Sequence, residues 1–191
     1  VMYTALRINN VPELLIVASD LVEKVFKDET VEVVNDDIKG SDLVGLEYEP
    51  LFVDRGENAH KIWHADYVET EAGTGIVHLA PAYGEEDFEL AQKEGIPVVH
   101  VIDENGLYSE GEWQGHNVWE ANKPIAKKMH ESPEVNTGYL NDGWRGAVWK
   151  IEYYRHSYPH CHRCGTRLMY RAHPSWFFDV QGQKQLVLEK N

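Results

Sequence analysis

The stretch Gly73-Thr74-Gly75-Ile76-Val77-His78-Leu79-Ala80-Pro81-Ala82-Tyr83-Gly84-Glu85-Glu86-Asp87-Phe88 constrains this chain more than any other. Ile76 to Leu79 is a short apolar, β-branched run bounded by Gly and Pro, the pattern of a buried strand. Pro81 cannot donate to a ladder and pushes the residue before it out of helical geometry, so the chain must turn through Ala82, Tyr83 and Gly84. A helix is predicted next. Glu85, Glu86 and Asp87 put three carboxylates where the helix dipole favours them, Phe88, Leu90 and Ala91 supply the apolar stripe, and Gly95 closes it before a predicted strand over 96–102. Such a strand-loop-helix unit can hold His78 and Asp87 on opposite walls of one pocket.

The chain is long enough, at 191 residues, for one domain or one domain with an appendage. A formal charge of -14 speaks against loose, charge-driven binding to nucleic acid, because phosphate contacts need clustered Lys and Arg; a local contact to a nucleic-acid end stays open. Two cysteines, no signal-like start and no apolar run of bilayer length point to the cytoplasm and to no membrane partner. The strand-like start at Val1-Met2-Tyr3-Thr4 reads as the cut edge of a longer protein, and the fragment is expected to be monomeric.

Residues 1–8 and 14–18 read as a hairpin joined across Asn9-Asn10, Ser19 as the N-cap of a short helix, and residues 30–34 as a strand. Between residues 38 and 53, Gly40, Gly45 and Pro50 punctuate short apolar pieces, with 51–53 the best strand there. Residues 61–68 form a further predicted strand, with Trp63 and Ala65 on one face and Ile62, His64 and Asp66 on the other. Asp103 to Gly106 is a turn, residues 107–118 hold broken strand pieces, and Pro124 fits the first turn of a helix ending near Ser132-Pro133. From Trp144 aromatics, His and Arg crowd together, so we divide the chain into a core, residues 1–150, and a C-terminal segment, residues 151–191. The expected fold is mostly β or α+β: a small β-barrel with peripheral helices, although periodicity alone equally allows an open α+β sheet.

Two constellations carry chemistry. Asp87 read alone is a helix cap or dipole partner; with Glu85 and Glu86 already serving the dipole, it is free to receive a cation, and a ligand ammonium suits it. His78 read alone is a core histidine; beside the turn it lines a pocket wall. The second constellation is Cys161-His162-Arg163-Cys164-Gly165, two thiols at knuckle spacing and half of a tetrahedral zinc site. His160 and His162 lie too close to supply an ordinary second pair, although another of the ten histidines is open as a ligand. Redox chemistry is disfavoured by flanks unlike those of thioredoxins. No phosphate loop, metalloprotease helix or nucleophile elbow appears, so the chemistry has no evident nucleophilic side chain.

At Gly73 to His78, Ala80-Pro81 and Gly84 to Phe88 the sequence resembles the editing domain inserted into the class I synthetases for isoleucine, valine and leucine. His78, nine residues before Asp87, is similar to the isoleucyl version; the valyl type carries Lys there and the leucyl type usually an apolar residue. His156 to Cys161, Arg163-Cys164, Tyr170 to Ala172 and Trp176-Phe177 resemble the isoleucyl enzyme's return path toward its catalytic core. The matches cover most of residues 40–180. Two departures stand out: the family's threonine-rich segment with its Pro-Trp step is missing, and His162 stands where Trp is common between the knuckle cysteines.

The resemblance implies a domain that hydrolyses valine misesterified to tRNA(Ile), inside a synthetase that uses ATP and Mg at a separate site. It implies no cofactor for editing, and a structural zinc whose second Cys pair lies outside the inserted domain. It further implies that Asp87 binds the α-ammonium, that His78 shapes the side-chain pocket, and that Gly73, Thr74, Gly75, Ala82, Tyr83 and Gly84 border the ester and terminal adenosine. The tRNA 3' end and the rest of the synthetase are the expected partners. Rival readings are a valyl- or leucyl-type editing domain, a non-catalytic zinc-stabilised binding module and a free-standing deacylase; the fragment alone is expected to lack one wall of the pocket.

Overall fold

The computed structural model describes residues 1–8, 14–50, 52–71, 73–131, 148, 150–153 and 155–190. Its centre is β1 (Met2–Ile8), an apolar strand buried at Tyr3, Thr4, Ala5, Leu6 and Ile8. β2 (Leu15–Ala18) pairs with it antiparallel, Tyr3 opposite Ala18 and Leu6 opposite Leu15. The two strands of the predicted hairpin are therefore present, while Asn9-Asn10 lies outside the described residues. β3 (Val31–Lys39) pairs antiparallel with the other side of β1, giving the order β2-β1-β3. It begins close to the predicted strand and runs further, with the register slipping between Tyr3 and Ala5 and again between Ala5 and Leu6. A bulge of this kind bends a strand and tightens its twist.

Leu6, Ile8, Val17, Leu21, Phe26 and Leu43 close the main core under this sheet. Each large apolar side chain buried there stabilises the fold by roughly 1.5–3 kcal/mol. Ser19 does not cap a helix through its side chain. It opens a 3₁₀ turn, Ser19–Leu21, that runs into α1 (Val22–Val25), and its Oγ lies 2.9 Å from Oγ1 of Thr4. Thr4 is a buried hydroxyl that needs a partner, and that demand takes Ser19 away from capping.

The barrel-like pieces expected over 38–53 are replaced by the end of β3, α2 (Gly40–Leu43) and a lone bridge from Glu47 to Lys61. Asp42 accepts the backbone N–H of Lys39 and starts α2 where Gly40 suggested a corner. Leu51 lies outside the described residues, and Phe52 and Val53 are exposed and in no strand. The strand expected over 61–68 ends at its first residue, Lys61. Its alternation nevertheless holds: Trp63 and Ala65 pack on one cluster, His64 and Asp66 are exposed.

Two further predicted strands are absent. Ile76 to Leu79 joins no sheet, and Ile76 and Val77 are exposed; β-branched residues make a strand only where a neighbouring edge receives them. Over 96–102 only Ile102 bridges, to Tyr108, because the hydroxyl of Tyr83 takes the backbone N–H groups of both Val101 and Ile102. The turn at Asp103 to Gly106 forms as expected, with Oδ1 of Asp103 accepting from Asn105 and Leu107 at 2.9 Å each. Between residues 107 and 118 the ladder is reduced to bridges at Leu107 and Tyr108.

α3 (Glu85–Glu94) ends at Gly95 in the left-handed conformation, with the N–H of Ile96 on the carbonyl of Ala91. Leu90, Ala91 and Ile96 form a second cluster that receives Trp63, Ala65, Leu79 and Val98. α4 (Val118–Glu131) starts before the predicted Pro124, since Oδ1 of Asn117 accepts the N–H of Trp119 at 2.9 Å and caps the helix there. Pro124 is inside the helix rather than in its first turn. The predicted end at Ser132-Pro133 lies outside the described residues, as does Trp144. α5 (Val180–Lys190) buries no side chain.

The domain is thus α+β: a three-stranded antiparallel sheet with five helices among the described residues. No helix among them is long and apolar enough to cross a membrane.

Candidate functional site

The glycine loop is built on the sheet. Tyr3 Oη donates to the carbonyl of Gly75 at 2.8 Å, and the N–H of Ala18 donates to the carbonyl of Thr74 at 2.9 Å. These bonds extend the β1–β2 pair onto residues far along the chain. Gly73 and Gly75 both have positive φ, 71° and 75°, which glycine adopts without steric cost. Gly75 is buried, while Gly73 and Thr74 are exposed.

The acidic centre lies at the other end of the extended run, on α3. Asp87 is the third residue of that helix, and its carboxylate folds back over the helix start. Oδ2 accepts the N–H of Ala80 at 2.9 Å and Oδ1 accepts the hydroxyl of Tyr67 at 2.7 Å. A β-carbon on Gly84 would lie 2.5 Å from Oδ2, so the carboxylate can take this position only over a glycine. Asp87 is half-buried and both of these partners are neutral. Burial, then the hydrogen bond to Asp87, then the charges of Asp87 and Glu86 push the Tyr67 phenol well above its ordinary value.

His78 is exposed, two residues before the Ala80 amide that Asp87 holds. Ala82 is buried, and its carbonyl accepts the N–H of Ala172 at 2.8 Å, which ties the C-terminal segment to the Pro81 turn. Tyr83 is half-buried, and its hydroxyl is committed to backbone: it accepts from Val101 at 2.8 Å and Ile102 at 2.9 Å. The structure therefore groups Ala80, Gly84, Asp87 and Tyr67, and joins them to the Gly73 to Gly75 loop through the extended chain.

Cys161 and Cys164 lie in a tight turn. The N–H of Gly165 donates to the carbonyl of Cys161 at 2.9 Å, the N–H of Cys161 to the carbonyl of Thr166 at 2.8 Å, and Gly165 has φ 70°. Hydrogen bonds with Thr166, the side chain first, and with Cys161 bring the Cys164 thiol down to about 7. Among the described residues no group of three or more His, Cys, Asp or Glu comes together as a metal site. The turn thus presents two sulfur donors, the number a shared tetrahedral site takes from one knuckle.

Tyr67 and Tyr3 are the residues that sequence reasoning missed. Neither belongs to a motif, and the available signal was general: a tyrosine hydroxyl taken out of water usually finds a partner.

The family model described as "Leucyl-tRNA synthetase, editing domain" matches residues 20–142. The chain belongs to this editing-domain family of the aminoacyl-tRNA synthetases. Its curated relatives are more particular. It is 41% identical over 185 residues to the isoleucine--tRNA ligase of Bdellovibrio bacteriovorus, covering 93% of this chain and 16% of the relative. The isoleucine--tRNA ligase of Pyrococcus furiosus is 38% identical over 196 residues, covering 96% and 17%, and that of Clostridium tetani 37% over 188 residues, with the same coverage. The chain spans about one sixth of the length of these relatives, on coverages of 16% and 17%.

Proposed function

We propose that this domain hydrolyses valine misesterified to tRNA(Ile), within a synthetase that ligates isoleucine to tRNA using ATP and Mg at another site. Selection by size makes the activity necessary: one missing methylene is worth only ~1–3 kcal/mol, a limit for which isoleucine-specific synthetases are the standard worked case. The observation that carries the reading is the Asp87 carboxylate, turned inward at a helix start with neutral partners on both oxygens. Neither partner is a cation, so neither competes with an incoming α-ammonium for the carboxylate.

The ester needs little further help. Its carbonyl is already electrophilic beside the ammonium, so holding the ester and a water in line suffices without a protein nucleophile. His78, exposed beside the Ala80 amide, limits the side-chain space to valine, and the backbone of Gly73 to Gly75 and of Ala82 to Gly84 borders the terminal adenosine. Within the synthetase we infer that the sheet extends to the small β-barrel expected of the family, in the cytoplasm, with the rest of the synthetase and the tRNA 3' end as partners. Cys161 and Cys164 would supply two sulfur ligands to a structural zinc, with the remaining ligands from beyond the described residues; Cys161→Ser should then lower the zinc content of the synthetase.

The test is deacylation of valyl-tRNA and isoleucyl-tRNA by the synthetase that carries this domain. Asp87→Ala should abolish attack on valyl-tRNA, and an unchanged rate would remove Asp87 from the site. His78→Ala should begin to attack isoleucyl-tRNA; unchanged selectivity would overturn its role.

A further inference from the structure

Asp87 is gripped from two directions. The Ala80 amide holds Oδ2 from the chain leading out of the glycine loop, and the Tyr67 hydroxyl holds Oδ1 from a turn twenty residues upstream. A carboxylate on one hydrogen bond is free to swing, because its last torsion has a broad, two-fold profile. Donors on both oxygens fix the plane of the group.

We propose that Tyr67 is a positioning residue of the editing site, setting the orientation in which Asp87 meets the ammonium of the misesterified residue. The proposal rests on the reading of Asp87 as the partner of that ammonium. Tyr67 is also tied to α3 by packing of the residues that precede it. Just before it, Trp63 and Ala65 pack against the cluster formed by Leu90 and Ala91, on the helix that carries Asp87, and Ile96, just beyond its end. Motion of α3 and motion of the Tyr67 turn are therefore tied together.

The choice of a phenol also fits the chemistry. A lysine or arginine at this place would orient the carboxylate equally well, but would neutralise it and compete with the substrate's cation. The phenol donates one hydrogen bond and carries no charge. It remains protonated through the physiological range, since its proton is held more tightly than in a free tyrosine. Each carboxylate oxygen has two acceptor sites. With one used on each by Tyr67 and Ala80, the remaining pair can receive an ammonium without displacing either donor.

The experiment compares two substrates in the full synthetase: valyl-tRNA and its α-hydroxy counterpart, 2-hydroxyisovaleryl-tRNA, which has the same ester and side chain but no ammonium. Tyr67→Phe should lower kcat/KM for valyl-tRNA about ten-fold, the scale of one charge-assisted hydrogen bond, and leave the α-hydroxy ester almost unaffected. In an Asp87→Ala background, where valyl-tRNA is no longer attacked, the comparison is read on the α-hydroxy ester, and Tyr67→Phe should cause no further loss there. An equal penalty on both substrates, or a penalty that persists without Asp87, would overturn the proposal. A loosened fold would slow both esters alike, so the comparison decides even where Tyr67→Phe lowers the melting temperature. If Asp87→Ala alone leaves valyl-tRNA deacylation intact, the reading of Asp87 fails; if it does not and Tyr67→Phe is silent, only the role of Tyr67 fails.

Discussion

Gly75 approaches Ala18 so closely that a β-carbon on the glycine would stand 2.5 Å from that of the alanine. Gly75 also has φ +75°, so a side chain there meets backbone strain and collision together. Gly75→Ala should cost about 2–4 kcal/mol, from left-handed strain plus overpacking against the sheet. Gly73, at φ +71°, meets nothing within 4 Å, and Gly73→Ala should cost only ~1–2 kcal/mol. Urea denaturation of the two variants side by side checks the difference, and equal midpoints would mean that the loop does not seat on β2 as described.

Gly84 presents the opposite case. Its φ of -118° is open to any residue, and what a side chain would meet is the carboxylate of Asp87. Gly84→Ala should therefore displace the acid while leaving the helix in place. Stability should change by under about 1 kcal/mol, while deacylation of valyl-tRNA should fall on the order of ten- to a hundred-fold. A variant that keeps full deacylation would show that the position of Asp87 is not critical.

What the sequence made legible follows from the range over which each cause acts. Gly95 ending α3, the turn at Asp103 to Gly106 and the alternation of Trp63 and Ala65 are set by neighbours within a few residues, and each was readable. The failures share a long-range cause. Ile76-Val77 has the composition of a strand but no edge to join, and Val101-Ile102 loses its ladder donors to a tyrosine hydroxyl at position 83. Ser19 is diverted by Thr4, and α4 starts early on Asn117, a cap that the more conspicuous Pro124 obscured. Around the start of α3, the motif brought Gly84 and Asp87 to notice together, and the structure sets the carboxylate of Asp87 over Gly84. Tyr67 was not legible, because no periodicity connects it to position 87.

Tyr83 yields a prediction free of any assumption about function. Its oxygen is the acceptor for two adjacent backbone donors, Val101 and Ile102, and phenylalanine would leave both without it. Tyr83→Phe should cost about 1–2 kcal/mol, at the lower part of the range for unpaired donors because the site is only half-buried and water can reach it. Amide hydrogen exchange should accelerate at Val101 and Ile102 ahead of the rest of the domain. Protection unchanged at those two amides would contradict the bond.

Three tyrosines also contribute to the loss of stability in alkali. Tyr67 is raised by burial and then by Asp87, Tyr3 by burial, and Tyr108 by burial and then by Tyr83. Because each folded value lies above that of the unfolded chain, the unfolded state releases these protons first, from about pH 10, while the native state still holds them. The stability they contribute is complete below that pH and is lost as pH rises through the folded values. On the acid side the sign reverses at Asp103, lowered chiefly by the N–H of Leu107: its contribution is present above the ordinary carboxylate range and is lost as pH falls. Urea midpoints measured between pH 7 and 11 should decline beyond about pH 10, and Tyr67→Phe should make that decline shallower because the most strongly shifted phenol is gone. A decline of the same steepness in the variant would mean that Tyr67 does not hold its proton against Asp87.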